Sequence, residues 1–427
     1  MTIQELHKLF LQHSTVCTDT RNIKSGSLFF ALKGDNFNGN NFAKNAIDQG
    51  CAYAIVDEEI ESHPNIIKVD NVLQTLQKLA TFHRLYLNIP VIGITGSNGK
   101  TTTKEMVFTV LKKRFKTYAT HGNLNNHIGV PLSLLSLTHE HEMAVIEMGA
   151  NHQGEIEMLS NICLPNYGLI TNIGKAHLEG FGGEEGVIKG KSELYKHIRK
   201  SNGLLFINDD DDLLKRLSRG IDSYTYGTNS NANVYGMLKN ESPNIDFDLH
   251  FNNEVLNIHA TLSGKYNFYN MMAAAAIGLY FSVKINDITD ALGKYESDNN
   301  RSQTIKTAKN TLMLDAYNAN PSSMLAAITN FSSSTSNNKI AIIGGMNELG
   351  ETTEEEHITL VNLLLSKDFK TVMLVGNHFN NISNAETLKF ENVEAVIQYL
   401  SNNKFNDAHI LIKGSRSNQL EKLVPFL

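Results

Sequence analysis

The residues best suited to chemistry lie in Gly93-Ile-Thr-Gly-Ser-Asn-Gly-Lys-Thr-Thr102. This run follows the apolar string Val91-Ile-Gly-Ile-Thr95 and precedes a helical pattern with Met106, Val107, Val110 and Leu111 on one face. Glycines in such a turn let backbone N–H groups face phosphate oxygens, and the N-terminus of the following helix favours anions. Lys100 would bring a cation to the β- and γ-phosphates, and the Thr101 hydroxyl would hold Mg²⁺. The strict Gly-x4-Gly-Lys-Thr pattern is not met, because Ile94 stands where it needs glycine and Gly93 comes one residue early. A glycine-rich turn without a ligand would show the same glycines, but Gly-Lys-Thr at the start of a helix favours a nucleotide.

Other polar residues are less specific. Glu147 closes the strand-like Ala144-Val-Ile-Glu-Met148. A carboxylate at a strand's carboxyl end, in a sheet carrying a phosphate loop, is placed to hold a phosphate-bridging metal, although an ordinary strand-end acid looks the same. His177, in Thr171-Asn-Ile-Gly-Lys-Ala-His-Leu-Glu-Gly180, follows another strand, and a lone histidine is usually structural or solvated. By charge pattern alone Lys191 and Glu193 read as a solvated helix face, as do Glu354-Glu-Glu356 and Lys112-Lys-Arg114, and Asp209 to Asp212 reads as a solvated turn. Met271 to Leu279 reads as a core helix.

The elements that must hold these residues alternate between strand and helix. Up to about Tyr86, the strings Ser27-Leu-Phe-Phe-Ala-Leu32 and Ala52-Tyr-Ala-Ile-Val56 and the turn-rich Gly34 to Asn41 predict a small α/β unit. It closes with a helix on which Leu73, Leu76, Leu79, Ala80 and Phe82 recur. From Val91 to about Leu292, apolar runs followed by helical patterns predict a mainly parallel sheet covered on both faces, with ligands at the carboxyl ends of its strands. From about Asn299 the pattern returns in Thr311-Leu-Met-Leu-Asp315, Ile340-Ala-Ile-Ile343, Val372-Met-Leu-Val375 and His409-Ile-Leu-Ile412, a second doubly wound unit. The expected class is α/β in three domains. These are a small N-terminal α/β domain over 1–86, a central P-loop domain with a parallel sheet over 87–298, and a C-terminal Rossmann-like domain over 299–427. Asn299-Asn300 and Ser332 to Asn338 read as polar loops.

Composition narrows the class. With 427 residues the chain exceeds a lone binding module, and a net charge of −6 gives no reason to expect a duplex nucleic acid partner. The 3 cysteines, Cys17, Cys51 and Cys163, are too few and too scattered for a disulfide framework or a zinc site, which fits a reducing cytoplasm. The start lacks a signal-peptide pattern, and the longest apolar stretch is too short for a bilayer span, so no membrane insertion is expected.

Thr95-Gly-Ser-Asn-Gly-Lys-Thr101, Glu147, His177 and the lysine of Lys191-Ser-Glu193, read in order, make the chain resemble the Mur ligase superfamily over nearly its whole length. These are ATP-dependent amide-bond ligases of peptidoglycan precursor synthesis and their folate relatives. Narrower signs are Gly122-Asn-Leu-Asn-Asn126 with Gly129-Val-Pro131, Glu147 to Ile156, Asp315-Ala-Tyr-Asn-Ala-Asn-Pro321 with Met324, Met346-Asn-Glu-Leu-Gly350 and Lys413-Gly-Ser-Arg416. They are similar to the branch that joins D-alanyl-D-alanine to a UDP-N-acetylmuramoyl tripeptide through an acyl phosphate. The Asn-Pro-Arg motif of the branch that adds the third residue is absent. A nucleotide-hydrolysing switch would share the loop, but the guanine-reading Asn-Lys-x-Asp is not found. A nucleotide-binding subunit without turnover would share it too.

The resemblance implies ATP and two Mg²⁺ ions. ATP would meet Gly96, Ser97, Asn98, Gly99, Lys100, Thr101 and Thr102, with Asn270 at the adenine and Arg301 and Asp315 reaching in from the joint and the third domain. Thr101, Glu147, His177 and a Lys191 carbamylated by CO₂ would hold the metals, and Lys100, Glu147, His177 and Lys191 would be catalytic. Asp19, Arg21, Asn125, Asn126, Tyr317, Asn318, Asn320 and Arg416 would contact the UDP-N-acetylmuramoyl tripeptide or D-alanyl-D-alanine. Asp19-Thr-Arg21 and Gly34 to Phe42 resemble the uridine-nucleotide site, with Asn38 and Asn40 where Asp and His are common. Tyr266 replaces a common histidine, and Gly345 a usual aspartate. A cytoplasmic monomer is expected.

Overall fold

The computed structural model describes every residue except 62, 243, 298, 299, 335, 384 and 385. The expected junction at 298 and 299, the Asn299 side of one polar loop and Thr335 in the other therefore lie outside the described residues. The fold is α/β, built on three larger sheets in which parallel pairing dominates, with a separate two-stranded antiparallel sheet of Lys33–Gly34 and Phe37–Asn38.

The first sheet is all parallel, in the order Val16–Cys17, Leu28–Phe30, Tyr53–Val56, Ile66–Lys68. Leu28 to Phe30 is fully apolar because it is central and covered on both faces. The helix Val72–Leu87 starts at Asn71, whose side chain accepts the Gln74 N–H, and ends where Asn88 turns left-handed at φ +48. Leu76, Leu79 and Ala80 are fully buried, each leucine worth about 2 kcal/mol of transfer free energy.

This helix also fixes the first sheet to the second. Arg84 donates to the carbonyls of Cys163 and Leu164, both at 3.2 Å, satisfying the carbonyl end of the helix Glu155–Cys163. It also donates to Asn166 Oδ1 at 2.8 Å, and that oxygen accepts the Val91 N–H that opens the next strand. His83 bonds His7 at 3.0 Å and the Leu137 carbonyl at 3.0 Å.

Among the described residues the second sheet has nine strands. Seven run parallel, in the order Thr117–Ala119, Met143–Glu147, Val91–Thr95, Tyr167–Ile170, Leu204–Asn208, Ser223–Gly227, Val234–Asn240. Ile245–Phe251 and Glu254–Ala260 then pair antiparallel, a ribbon the strand-then-helix pattern does not anticipate. Its signal is alternation: Ile245, Phe247 and Leu249 are buried while Asp246 and Asp248 are not. From Val91–Thr95 the chain first builds one flank of the sheet and then crosses to the other. The crevice above that strand is thus a switch point, where α/β sheets bind ligands.

The third sheet runs Gln303–Lys306, Thr311–Asp315, His409–Lys413, Lys339–Gly344, Thr371–Val375, Leu388–Phe390. Only the Gln303–Lys306 edge pairs antiparallel. The helix Lys265–Tyr280 contains the apolar run read from sequence, with Met271 to Leu279 all buried. Among the described residues no helix is long and apolar enough to cross a membrane.

Candidate active site

Three strand ends meet at the switch point. The loop after Val91–Thr95 is the glycine-rich turn, and it leads into the helix Lys100–Leu111. Gly96 has φ +142, and a Cβ there would lie 2.0 Å from Thr171 Oγ1; at Gly99, with φ +78, a Cβ would lie 2.8 Å from Asn270 Oδ1. Both positions need glycine because the end of the strand Tyr167–Ile170 and the first turns of Lys265–Tyr280 press on the loop. Thr171 Oγ1 donates to the Asn98 carbonyl at 2.6 Å. Asn172 accepts the Asn98 N–H at 3.1 Å and donates back to the Asn98 carbonyl at 2.9 Å, so it shapes the loop without having been singled out.

Lys100 folds over this loop, donating to the Gly96 carbonyl at 2.7 Å and the Ser97 carbonyl at 3.2 Å. Burial pushes its pKa down to about 8; Glu147 opposes that shift and Arg301 adds to it. Glu147, at the carboxyl end of Met143–Glu147, is 1% exposed. Its Oε1 accepts from Thr101 Oγ1 at 3.2 Å and from Asn125 Nδ2 at 2.8 Å, while its buried Oε2 has no hydrogen-bond partner among the described residues. An orphaned buried carboxylate oxygen is costly and marks a position that a cation or donor completes.

A cavity of about 950 Å³ opens over these groups. Its lining includes Ser97 to Lys100, Thr102, Asn125, Asn126, Glu147, His177 and Asn270 on the central-domain side. Arg301, Asp315, Tyr317, Asn318, Asn320 and Lys413 line the opposite side. Asp315 and Lys413 are register partners on neighbouring parallel strands and form an ion pair of 2.6 Å at their carboxyl ends. Asn320 caps the helix Pro321–Ser332 and reaches across to Asn98 Oδ1 at 2.8 Å. The guanidinium of Arg301 lies 3.9 Å from the centre of the Tyr317 ring, and that of Arg416 lies 5.5 Å from it.

The remaining candidates stand apart from the cavity or do local work. Asn126 accepts the N–H groups of Ile128 and Gly129, which starts the helix Gly129–Leu135. Asp19 and Arg21 pair with each other at 2.7 Å on the first domain, outside the cavity. Asn38 and Asn40 are engaged by each other and by Glu58 and Asp57 respectively.

Two readings by charge pattern are corrected. Lys191 and Glu193 are buried instead of forming a solvated face. Lys191 Nζ donates to the Ala150 carbonyl at 3.0 Å, and Glu193 accepts the N–H groups of Gly154 and Glu157 at the start of Glu155–Cys163. Burial, aided by Lys100, holds the Lys191 pKa well below the usual lysine value. Glu356 is buried too, because Lys175 comes from the central domain to pair with it at 2.8 Å. His177, left-handed at φ +52, bonds Glu348 through Nδ1, while the Glu179 N–H donates to the Glu348 carbonyl at 3.2 Å. The Lys175 N–H donates to Ser322 Oγ at 2.9 Å. Periodicity has no access to this seam, because its partners are more than 140 residues apart.

The acid run Asp209 to Asp212 caps a helix through Asp211, whose side chain accepts the Leu214 N–H. Asp210 accepts from Thr228 and from the Tyr269 hydroxyl at the edge of the cavity.

Fold and site together define a P-loop α/β protein with a third sheet closing over its phosphate loop. The Mur ligase middle domain model matches residues 94–278, the Mur ligase glutamate ligase domain model residues 300–416, and the Mur ligase family catalytic domain model residues 13–84. The UDP-N-acetylmuramoyl-tripeptide--D-alanyl-D-alanine ligase of Bacillus subtilis (strain 168) is 33% identical, over 96% of this chain and 92% of that protein. A crystal structure of MurF from Acinetobacter baumannii superposes with a TM-score of 0.90 at 31% identity, covering 99% of this chain and 98% of that one. MurF ligase from Thermotoga maritima in complex with ADP gives 0.86 at 26% identity, covering 97% of each chain. The chain belongs to the Mur ligase family.

Proposed function

We propose that the chain is an ATP-dependent ligase that joins D-alanyl-D-alanine to a UDP-N-acetylmuramoyl tripeptide, forming the pentapeptide precursor of peptidoglycan. One observation carries the reading: a single cavity has the phosphate loop on one wall and the Tyr317 to Asn320 segment on the other. Relatives of that name match the chain along nearly all its length.

ATP would lie with its phosphates on residues 96–102, its adenine beside Asn270, and Arg301 and Asp315 reaching it from the third-domain side. Lys100 would leave the loop carbonyls for the phosphate oxygens, whose charge favours its ammonium form. Thr101 and the orphaned Oε2 of Glu147 offer the hard oxygen donors that suit Mg²⁺, and an ion held there would neutralise phosphate charge. A second ion at His177 would depend on carbamylated Lys191. The depressed pKa of that lysine favours the neutral amine that adds CO₂. Among the described residues no three His, Cys, Asp or Glu form a metal cluster, so no step is assigned to the second ion.

The terminal carboxylate of the tripeptide would attack the γ-phosphorus and expel ADP, giving an acyl phosphate. The amine of D-alanyl-D-alanine would then attack the carbonyl carbon, lose a proton, and expel phosphate as the C–O bond breaks. Lys100 would disperse negative charge on the phosphoryl group. The Asn98–Asn320 and Lys175–Glu356 contacts would keep the third domain closed and exclude water that hydrolyses the acyl phosphate.

The test is phosphate release with each substrate omitted in turn. Release that needs both peptide substrates, and is abolished by Lys100→Ala, is expected. Hydrolysis indifferent to both substrates would overturn the reading in favour of a nucleotide switch.

A further inference from the structure

We propose that Tyr266 is a positioning residue for Arg301: its hydroxyl pins the strained turn that delivers the Arg301 guanidinium to the cavity. This inference rests on the reading of that cavity as an ATP site.

After the helix Ile285–Gly293 the chain crosses to the third sheet, which it enters at Gln303–Lys306. Just before that strand Asn300 and Ser302 are both left-handed, at φ +59 and +49, with Arg301 between them. Asparagine enters this region at modest cost, but serine does not, and a strained residue persists only where its neighbours hold it. Contacts from both sides of the cavity do so here. Ser297 Oγ donates to the Arg301 carbonyl at 2.7 Å, and the Ser302 N–H donates to Asp315 Oδ1 at 3.4 Å. From the opposite wall, the Tyr266 hydroxyl shares a hydrogen bond of 2.9 Å with Ser302 Oγ.

Tyr266 is built in firmly. It stands in the first turn of Lys265–Tyr280, just after Ser263, whose hydroxyl accepts from Asn330 on the helix Pro321–Ser332 at 3.0 Å. A Cβ on Gly264 would lie 2.5 Å from Cε1 of the Tyr266 ring, so the residue that caps its own helix hems the ring in. Burial and the Asp315 carboxylate push the phenol pKa up, and it keeps its proton for the bond to Ser302. The turn sets the place of Arg301. That guanidinium lines the cavity 3.9 Å from the centre of the Tyr317 ring, near enough to Lys100 for its charge to disfavour that of the lysine. A cation beside Lys100 meets the phosphate end of a nucleotide and leaves the base alone. Released from Tyr266, the turn would relax out of the left-handed region and carry the base of Arg301 with it.

The experiment measures, by calorimetric titration, binding of AMP and of a non-hydrolysable ATP analogue with Mg²⁺, and melting curves check that each variant is folded. Tyr266→Phe keeps the ring and removes only the hydroxyl. It should weaken the ATP analogue about 5-fold, the worth of one hydrogen bond, and leave AMP unchanged. Ser302→Ala should do the same, and the two together should do no more than either. Glycine accepts φ +49 without strain, so Ser302→Gly should lose less than Ser302→Ala although it lacks the same hydroxyl. For the same reason Tyr266→Phe should bind the analogue better when combined with Ser302→Gly than alone, and it should add nothing to Arg301→Ala. An equal fall for AMP would make Tyr266 a contact to the base and overturn the proposal. Unchanged binding of the ATP analogue in Tyr266→Phe would overturn it too, as would a loss that adds in full to that of Arg301→Ala. A wild type that binds neither nucleotide would overturn the ATP reading itself, before any variant is compared.

Discussion

Gly96→Ala is the sharpest test of the phosphate loop. A Cβ at position 96 would lie 2.0 Å from Thr171 Oγ1, 3.0 Å from the Thr171 nitrogen and 3.1 Å from the Asn172 carbonyl oxygen, at φ +142. Holding a non-glycine residue in such a conformation costs roughly 1–2 kcal/mol. Moving Thr171 aside also breaks its 2.6 Å bond to the Asn98 carbonyl, worth about 1 kcal/mol. The loop should relieve this by leaving its phosphate-binding shape, so the cost of about 2–3 kcal/mol reappears when a nucleotide demands that shape. Nucleotide affinity should then fall about 30- to 150-fold. Calorimetric titration with Mg²⁺ and a non-hydrolysable ATP analogue measures this directly, and a melting curve checks that the sheet beneath is intact. A dissociation constant within about threefold of the wild type would refute the steric reasoning.

Lys175→Met and Glu356→Gln should each slow turnover, with a double-mutant coupling of about 1 kcal/mol because Lys175 is only half-buried; additive losses would remove this ion pair from domain closure. Burial, with His83 alongside, pushes the His7 pKa down to about 4, so the folded state binds fewer protons than the unfolded chain below pH 6.5. Stability should therefore hold above pH 6.5 and decline toward pH 4 by at most about 1.4 kcal/mol per unit, with a shallower slope in His7→Phe; unchanged slopes in urea unfolding would reject this. Lys191→Ala should lose activity and regain part of it with added acetate or formate but not chloride, whereas full activity without additives would remove the lysine from the mechanism.

The sequence was most informative where a motif is local. The phosphate loop, its following helix and Glu147 at a strand end all depend on neighbours within a few residues, and sheet pairing then places them together. The apolar helix over Met271 to Leu279 was equally legible, since burial on every side leaves an unbroken apolar run. Charge pattern misled where partners are remote. Lys191 and Glu356 look solvated in one dimension and are buried because Ala150 and Lys175 come to meet them. The antiparallel ribbon of Ile245–Phe251 and Glu254–Ala260 was hidden by the stronger strand-then-helix rhythm around it. The Asn98–Asn320 contact joins residues 222 apart, and no periodicity encodes such a meeting.

The most direct measurement of the proposed chemistry uses a UDP-N-acetylmuramoyl tripeptide labelled with oxygen-18 in its terminal carboxylate. Incubated with ATP, Mg²⁺ and D-alanyl-D-alanine, the protein should yield a pentapeptide and inorganic phosphate carrying one labelled oxygen, because the carboxylate oxygen that attacks phosphorus leaves with it. Label found in AMP would contradict phosphoryl transfer to the carboxylate, and unlabelled phosphate without a pentapeptide would contradict the ligase itself.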